Sequence, residues 1–156
     1  MALKSLNQFR RLREMLIGLR ALWLRLVLGV NVDRTLRASL SSRIRPGRRG
    51  SITVGPETLI AFKSLIYTRD PLTGEDRPVS IGARCFIGGG STILPGVTIG
   101  DDCIVGAGAV VFQDAPPRSI IGGNPARIVR RDIEVAGYGR LAGADDNSRR
   151  LWDEQY

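Results

Sequence analysis

From Ile81 onward the chain repeats every six residues. The blocks IGARCF, IGGGST, ILPGVT, IGDDCI and VGAGAV are followed by Val111, so Ile81, Ile87, Ile93, Ile99, Val105 and Val111 hold one aliphatic position. Four residues after each comes a small or modest side chain, at Cys85, Ser91, Val97, Cys103 and Ala109. Neither a helix of period 3.6 nor a sandwich strand of period two produces a six-residue repeat. A solenoid in which six residues make one flat side of a coil does. The pattern recurs upstream at Val54, Ile60 and Ile66, with Thr58 and Ser64 at the small position, and more weakly at Val32, Ala38 and Ile44. The step from Ile66 to Ile81 is not a multiple of six, which predicts a loop over about residues 68–80. Asp70-Pro71, Gly74 and Pro78 punctuate it.

If three hexads close a turn, residues eighteen apart lie on neighbouring coils, about 4.8 Å from one another. The aliphatic residues then form interior columns, and each fully buried one contributes roughly 1.5–3 kcal/mol. Cys85 and Cys103 are such a pair. A small, fairly apolar residue is wanted there and a thiol fits, so their role is read as packing.

The N-terminal pattern is different. Leu12, Leu16, Leu19, Trp23, Leu26 and Val30 recur at helical spacing, predicting a helix near residues 8–28. Ile17, Leu24 and Leu28 widen its apolar surface, while Arg20 and Arg25 interrupt every run that would otherwise span a membrane. The same breaks argue against a cleaved signal peptide. Two uses of the face remain open: packing on its own domain or a neighbouring subunit, or peripheral membrane contact through residues 8–30. The chain thus divides into a basic helical segment (1–31), a repeat domain (32–131) and an irregular C-terminal tail (132–156), where Asp145 to Tyr156 is expected to add a short helix.

Composition sharpens this picture at three points. A length of 156 residues suits one domain with a core of its own. The net charge of +8 is concentrated at the start: residues 1–50 hold twelve Lys and Arg against Glu14 and Asp33, a net of +10, and the rest of the chain is at −2. Such a segment suits nucleic acid, anionic lipid or acidic glycan. Nucleic acid ranks last, because aromatic interleaving is sparse and no recognisable module is present. Two cysteines and no secretory signal predict a reducing, cytoplasmic setting. With no histidine at all, the usual zinc ligands are missing, so no metal site is expected.

The hexads, and the run FIGGGSTILPGVTIGDDCIVGAGAVVFQDAPPRSIIGGNPARIVR with its GNPAR ending, resemble the hexapeptide-repeat acyltransferases. The likeness covers about residues 50–131 and is nearest to the sugar and polysaccharide O-acetyltransferases. It implies an all-β, left-handed parallel β-helix, with acetyl-CoA as co-substrate and a carbohydrate acceptor. It further implies a homotrimer whose active sites lie between neighbouring subunits. Carried over residue by residue, it places the pantetheine arm along Gly89 and Ala107, with Phe86 at the aromatic position before Ile-Gly. Arg127 falls near the coenzyme phosphates, which a guanidinium suits. Gly106-Ala107-Gly108-Ala109 offers side chains too small to obstruct a long thin ligand.

Two positions depart from the family. Phe112-Gln113 stands where many relatives carry a hydroxyl and an ammonium that assist coenzyme binding. At residues 66–70, IYTRD, Arg69 stands where many relatives have the histidine that deprotonates the acceptor hydroxyl. A guanidinium cannot accept a proton near neutral pH. Arg69 is therefore expected to orient the acceptor or stabilise an oxyanion. Asp70 is the candidate base, and Glu75 and Asp76 lie in the same loop. The alternative is a catalytically silent β-helix that binds glycan or a partner.

Overall fold

A computed structural model describes residues 4–141, so the helix expected over Asp145 to Tyr156 lies outside the described residues. A 23-residue helix, α1 (Lys4–Leu26), leads into a solenoid of short parallel strands. One side of the triangular prism stacks β1 (Asn31–Val32), β4 (Ile52–Val54), β7 (Val79–Ile81) and β10 (Thr98–Ile99). The second stacks β2 (Arg37–Ala38), β5 (Leu59–Ile60), β8 (Phe86–Ile87), β11 (Ile104–Val105) and β13 (Ile120–Gly123), on which β14 (Ala126–Arg130) folds back antiparallel. The third stacks β3 (Arg43–Arg45), β6 (Leu65–Tyr67), β9 (Thr92–Ile93) and β12 (Val110–Val111). This is the left-handed parallel β-helix that the family resemblance implied.

The registers show why the hexad works. Val32 pairs with Val54, Val54 with Ile81, and Ile81 with Ile99, so each aliphatic column follows one prism side. Ile60, Ile66, Ile87, Ile93 and Val105 are fully buried, as are the small residues Ser64, Ser91 and Cys103 at the corners. The coil that begins at β7 has the bare eighteen-residue length, and the one after it is sixteen. The coil holding β1 to β3 carries a bulge around Pro46–Gly50, and the next carries the loop between β6 and β7, residues 68–78. Insertions leave at corners, where the ladder is already interrupted, and do not disturb the columns.

From β4 onward, most corners place the residue three after the aliphatic one in the left-handed region. Gly90, Gly96 and Gly108 supply it without strain, but Glu57, Arg84, Asp102 and Arg118 also adopt it, with φ between 52° and 59°. Those four stack on one edge with alternating charge. Arg84 and Asp102 form a two-pronged ion pair at 2.6 and 2.8 Å. That pairing holds the Asp102 carboxyl below its usual range and raises the Arg84 guanidinium.

The helix closes the open end of the first coil. Leu24 is buried and joins Val30 and Leu36 in the core, with Leu28 packed beside them. The Arg20 guanidinium reaches the Ser42 carbonyl and hydroxyl, and burial lowers its pKa. The Arg49 guanidinium donates to the Leu26 and Val27 carbonyls at the helix C-terminus, at 3.0 and 3.2 Å. The helix therefore packs on its own domain, but not through the regular stripe. Ala21 and Leu24 face the core, whereas Leu12, Leu16, Leu19, Trp23 and Leu26 are exposed. Small Ala21 lets the helix approach the coil closely, which the bulkier stripe would prevent. Among the described residues no helix is long and apolar enough to cross a membrane.

Candidate functional site

The three corners differ in what their backbone offers. The residue two after each aliphatic one begins the turn, and its N–H points away from the ladder. Between the third and first sides that residue is Pro46 and Pro95 in two coils, and between the first and second sides it is Pro56 and Pro117. Proline has no N–H to offer. The Ala83 N–H, also at that second corner, is taken by the Asp101 carboxylate at 2.8 Å. The corner between the second and third sides instead carries Leu40, Phe62, Gly89 and Ala107. Gly108 N–H bonds to the Gly89 carbonyl, and Gly90 N–H to the Phe62 carbonyl. The N–H groups of Gly89 and Ala107 donate to no partner among the described residues. Two stacked amide donors thus line this edge at the level of Gly89 and Ala107, where the side chains are small.

That trough has defined ends. Toward the helix, the exposed Phe62 ring lies over Gly89, where a Cβ would come within 2.7 Å of it. A residue other than glycine at position 89 would displace the ring. Toward the C-terminus, the Arg127 guanidinium on β14 lies 5.1 Å from the centre of the Phe112 ring. The hairpin of β13 and β14, turning at Gly123-Asn124-Pro125, carries Arg127 there. Gln113 follows Phe112 and is exposed.

Phe86 lies apart from this row. It sits on the second side of the prism, covered by Gly139, in a groove with Arg37 and Tyr138. The Arg37 guanidinium stacks over the Tyr138 ring at 4.5 Å. The groove continues under α1 past Ile17 and Phe62, with a volume of 920 Å³.

Arg69 and Asp70 occupy a third place. They open the loop at the corner between the third and first sides, so a single chain does not bring them to the Gly89 and Ala107 amides. Arg69 is exposed and its backbone pairs with Asp76. Asp70 Oδ1 accepts from the N–H groups of Leu72 at 2.8 Å and Thr73 at 3.3 Å, which shapes the turn. Asp76 is committed otherwise: the buried Thr68 hydroxyl donates to Oδ1, and Arg48 Nε lies 3.1 Å from Oδ2. Glu75 is exposed.

The sequence reading missed Phe62, Arg37 and Tyr138. Phe62 was legible in principle, since it holds the same hexad position as Gly89 one coil earlier. Tyr138 was not, because the segment that carries it over β8 has no repeat.

A family model described as the hexapeptide repeat of succinyl-transferase matches residues 78–113. A Bacillus subtilis (strain 168) protein named "Putative acetyltransferase YvoF" is 44% identical over 86 residues, which cover 54% of this chain and 50% of that protein. The crystal structure of a maltose O-acetyltransferase from Clostridium difficile 630 is 30% identical with a TM-score of 0.51, covering 67% of both chains. A galactoside acetyltransferase solved with coenzyme A is 25% identical with a TM-score of 0.50, covering 65% of this chain and 64% of that one. The chain belongs to the hexapeptide-repeat acyltransferases. It spans about half the length of the curated relative it matches.

Proposed function

We propose that this chain is an acetyl-CoA-dependent acetyltransferase acting on a sugar or polysaccharide precursor in the cytoplasm, as a homotrimer with sites between neighbours. The observation that carries the reading is the pair of unpartnered N–H groups at Gly89 and Ala107. They sit on the one corner free of proline, between an aromatic end at Phe62 and a cationic end at Arg127. A pantetheine arm needs amide donors along a slot without side chains, and its nucleotide phosphates need a guanidinium. The neighbour solved with coenzyme A supports that choice of ligand.

The separation of Arg69 and Asp70 from this row within one chain favours assembly. A neighbouring subunit would bring its own loop to the trough. In that arrangement Arg69 orients an anionic or polar acceptor and stabilises the oxyanion of the tetrahedral intermediate. Asp70 Oδ2 receives the acceptor's proton, while Oδ1 stays bound to the turn. Attack by the acceptor oxygen or nitrogen on the thioester carbonyl then releases the coenzyme thiol.

A second reading follows from the same loop. Without a histidine, and with Asp70 committed to its own turn, the site can bind acyl-CoA yet turn over slowly or not at all. Melting curves with and without acetyl-CoA test the common part. A ligand at one hundred times its dissociation constant adds about 2.7 kcal/mol. No shift at millimolar acetyl-CoA would leave a scaffold that binds glycan or a partner.

A further inference from the structure

The outer face of α1 has no partner among the described residues. Leu12, Met15, Leu16, Leu19, Trp23 and Leu26 are between 37% and 61% exposed, although the helix is docked on the domain. At one hundred degrees per residue they lie between about 80° and 180° round the helix from Leu24, which points into the core.

The charge is uneven along the solenoid. The first coil, residues 31–50, contains Arg34, Arg37, Arg43, Arg45, Arg48 and Arg49 against Asp33 alone. The upper coils, residues 79–115, contain Arg84 against Asp101, Asp102 and Asp114. The first coil therefore carries a net positive charge, while the coils over residues 79–115 carry a net negative one. Arg34, Arg43 and Arg45 are exposed on that first coil. An apolar strip with a tryptophan, next to a coil rich in guanidinium groups and too short of apolar residues to span, fits the boundary of an anionic bilayer. A nonpolar protein surface would use the strip but not the charge.

We infer that the helical end of the prism docks flat on an anionic lipid surface. Leu19, Trp23 and their neighbours enter the headgroup boundary, and the first-coil arginines meet phosphates. The inference is independent of any acyl transfer.

The test is sedimentation of the full chain with vesicles of equal phosphatidylglycerol and phosphatidylcholine, and with vesicles of phosphatidylcholine alone. Partition should be at least about tenfold stronger on the anionic vesicles and should fall as salt rises from about 0.1 M to about 0.5 M. Trp23 emission, read in a Trp152→Phe background, should move to the blue. Leu19→Gln with Trp23→Gln should cut partition by about tenfold or more while leaving the melting temperature and the light-scattering mass unchanged. Arg43→Gln with Arg45→Gln should weaken binding to the anionic vesicles only. Equal or absent partition on both vesicles overturns the inference. A fall in light-scattering mass in the Leu19 and Trp23 variant also overturns it, since a second copy would then cover the face.

Discussion

The Arg127 guanidinium lies 5.1 Å from the centre of the exposed Phe112 ring, so the expected phosphate ligand rests on an aromatic platform. Stacking restricts this long side chain, and its Nη1 donates to the Ala126 carbonyl at 3.0 Å. Arg127→Ala is expected to weaken acetyl-CoA binding by about 1.5–3 kcal/mol, the range for hydrogen bonds to charged groups. Phe112→Ala, which removes only the platform, should cost about 0.5–1 kcal/mol. Titration calorimetry reads both. Equal loss of melting temperature and affinity would make Arg127 a structural residue.

Asp70→Asn separates shape from chemistry. Asparagine keeps an oxygen that accepts from the Leu72 and Thr73 amides, so the turn should survive. It cannot take a proton. Acetyl transfer to a panel of sugars and amino sugars should fall by about 10²–10⁴-fold if Asp70 is the base. A fast wild type unaffected by this change removes Asp70 from the mechanism. Gain of activity in Arg69→His, absent in wild type, would mark a retired site.

Glycine at position 89 is required by its neighbour. A Cβ there would come within 2.7 Å of the Phe62 ring. Gly89→Ala should therefore tilt Phe62 and narrow the trough, with a larger effect on the KM for acetyl-CoA than on stability. Phe62→Ala combined with Gly89→Ala should recover part of the loss, since the ring is then gone. A double-mutant cycle measures that coupling.

The ion pair of Arg84 with Asp102 gives a pH signature. The Asp102 carboxyl is held below its usual range, chiefly by the Arg84 hydrogen bond. Its contribution is thus present above the unfolded value near about 3.9 and is lost as pH falls through the folded value. The melting-temperature gap between wild type and Asp102→Asn should stay level from neutral pH down to about 5 and close in stronger acid. A gap that widens in acid would contradict the pairing.

The interior columns set the scale of stability. Ile87→Ala removes a fully buried side chain between coils and should cost about 2–5 kcal/mol in urea unfolding. Cys85 and Cys103 are fully buried, and contact with the Cys103 sulfur together with burial pushes the Cys85 thiol up. Cys85 should react with a thiol reagent only after unfolding. Labelling of the native protein at Cys85 would show that the coil opens locally.

The sequence by itself determined the solenoid. A six-residue period makes every aliphatic residue interior in a solenoid, so Ile81 to Val111 give the register and the corners, and the off-register step from Ile66 to Ile81 gives a loop over about 68–80, which the structure places at 68–78. It also placed Gly89 and Ala107, because stacking follows from counting. What only the tertiary structure decided lies off the repeat. Which face of α1 turns inward depends on how closely the first coil can be approached, and that favoured Ala21 and Leu24 over the more regular stripe. Which amides stay free depends on partners distant in sequence, such as Asp101 for Ala83. That Arg69 and Asp70 stand on a different corner from Gly89 follows from wrapping six residues around each side of a triangle, where neighbours along the chain become separated in space.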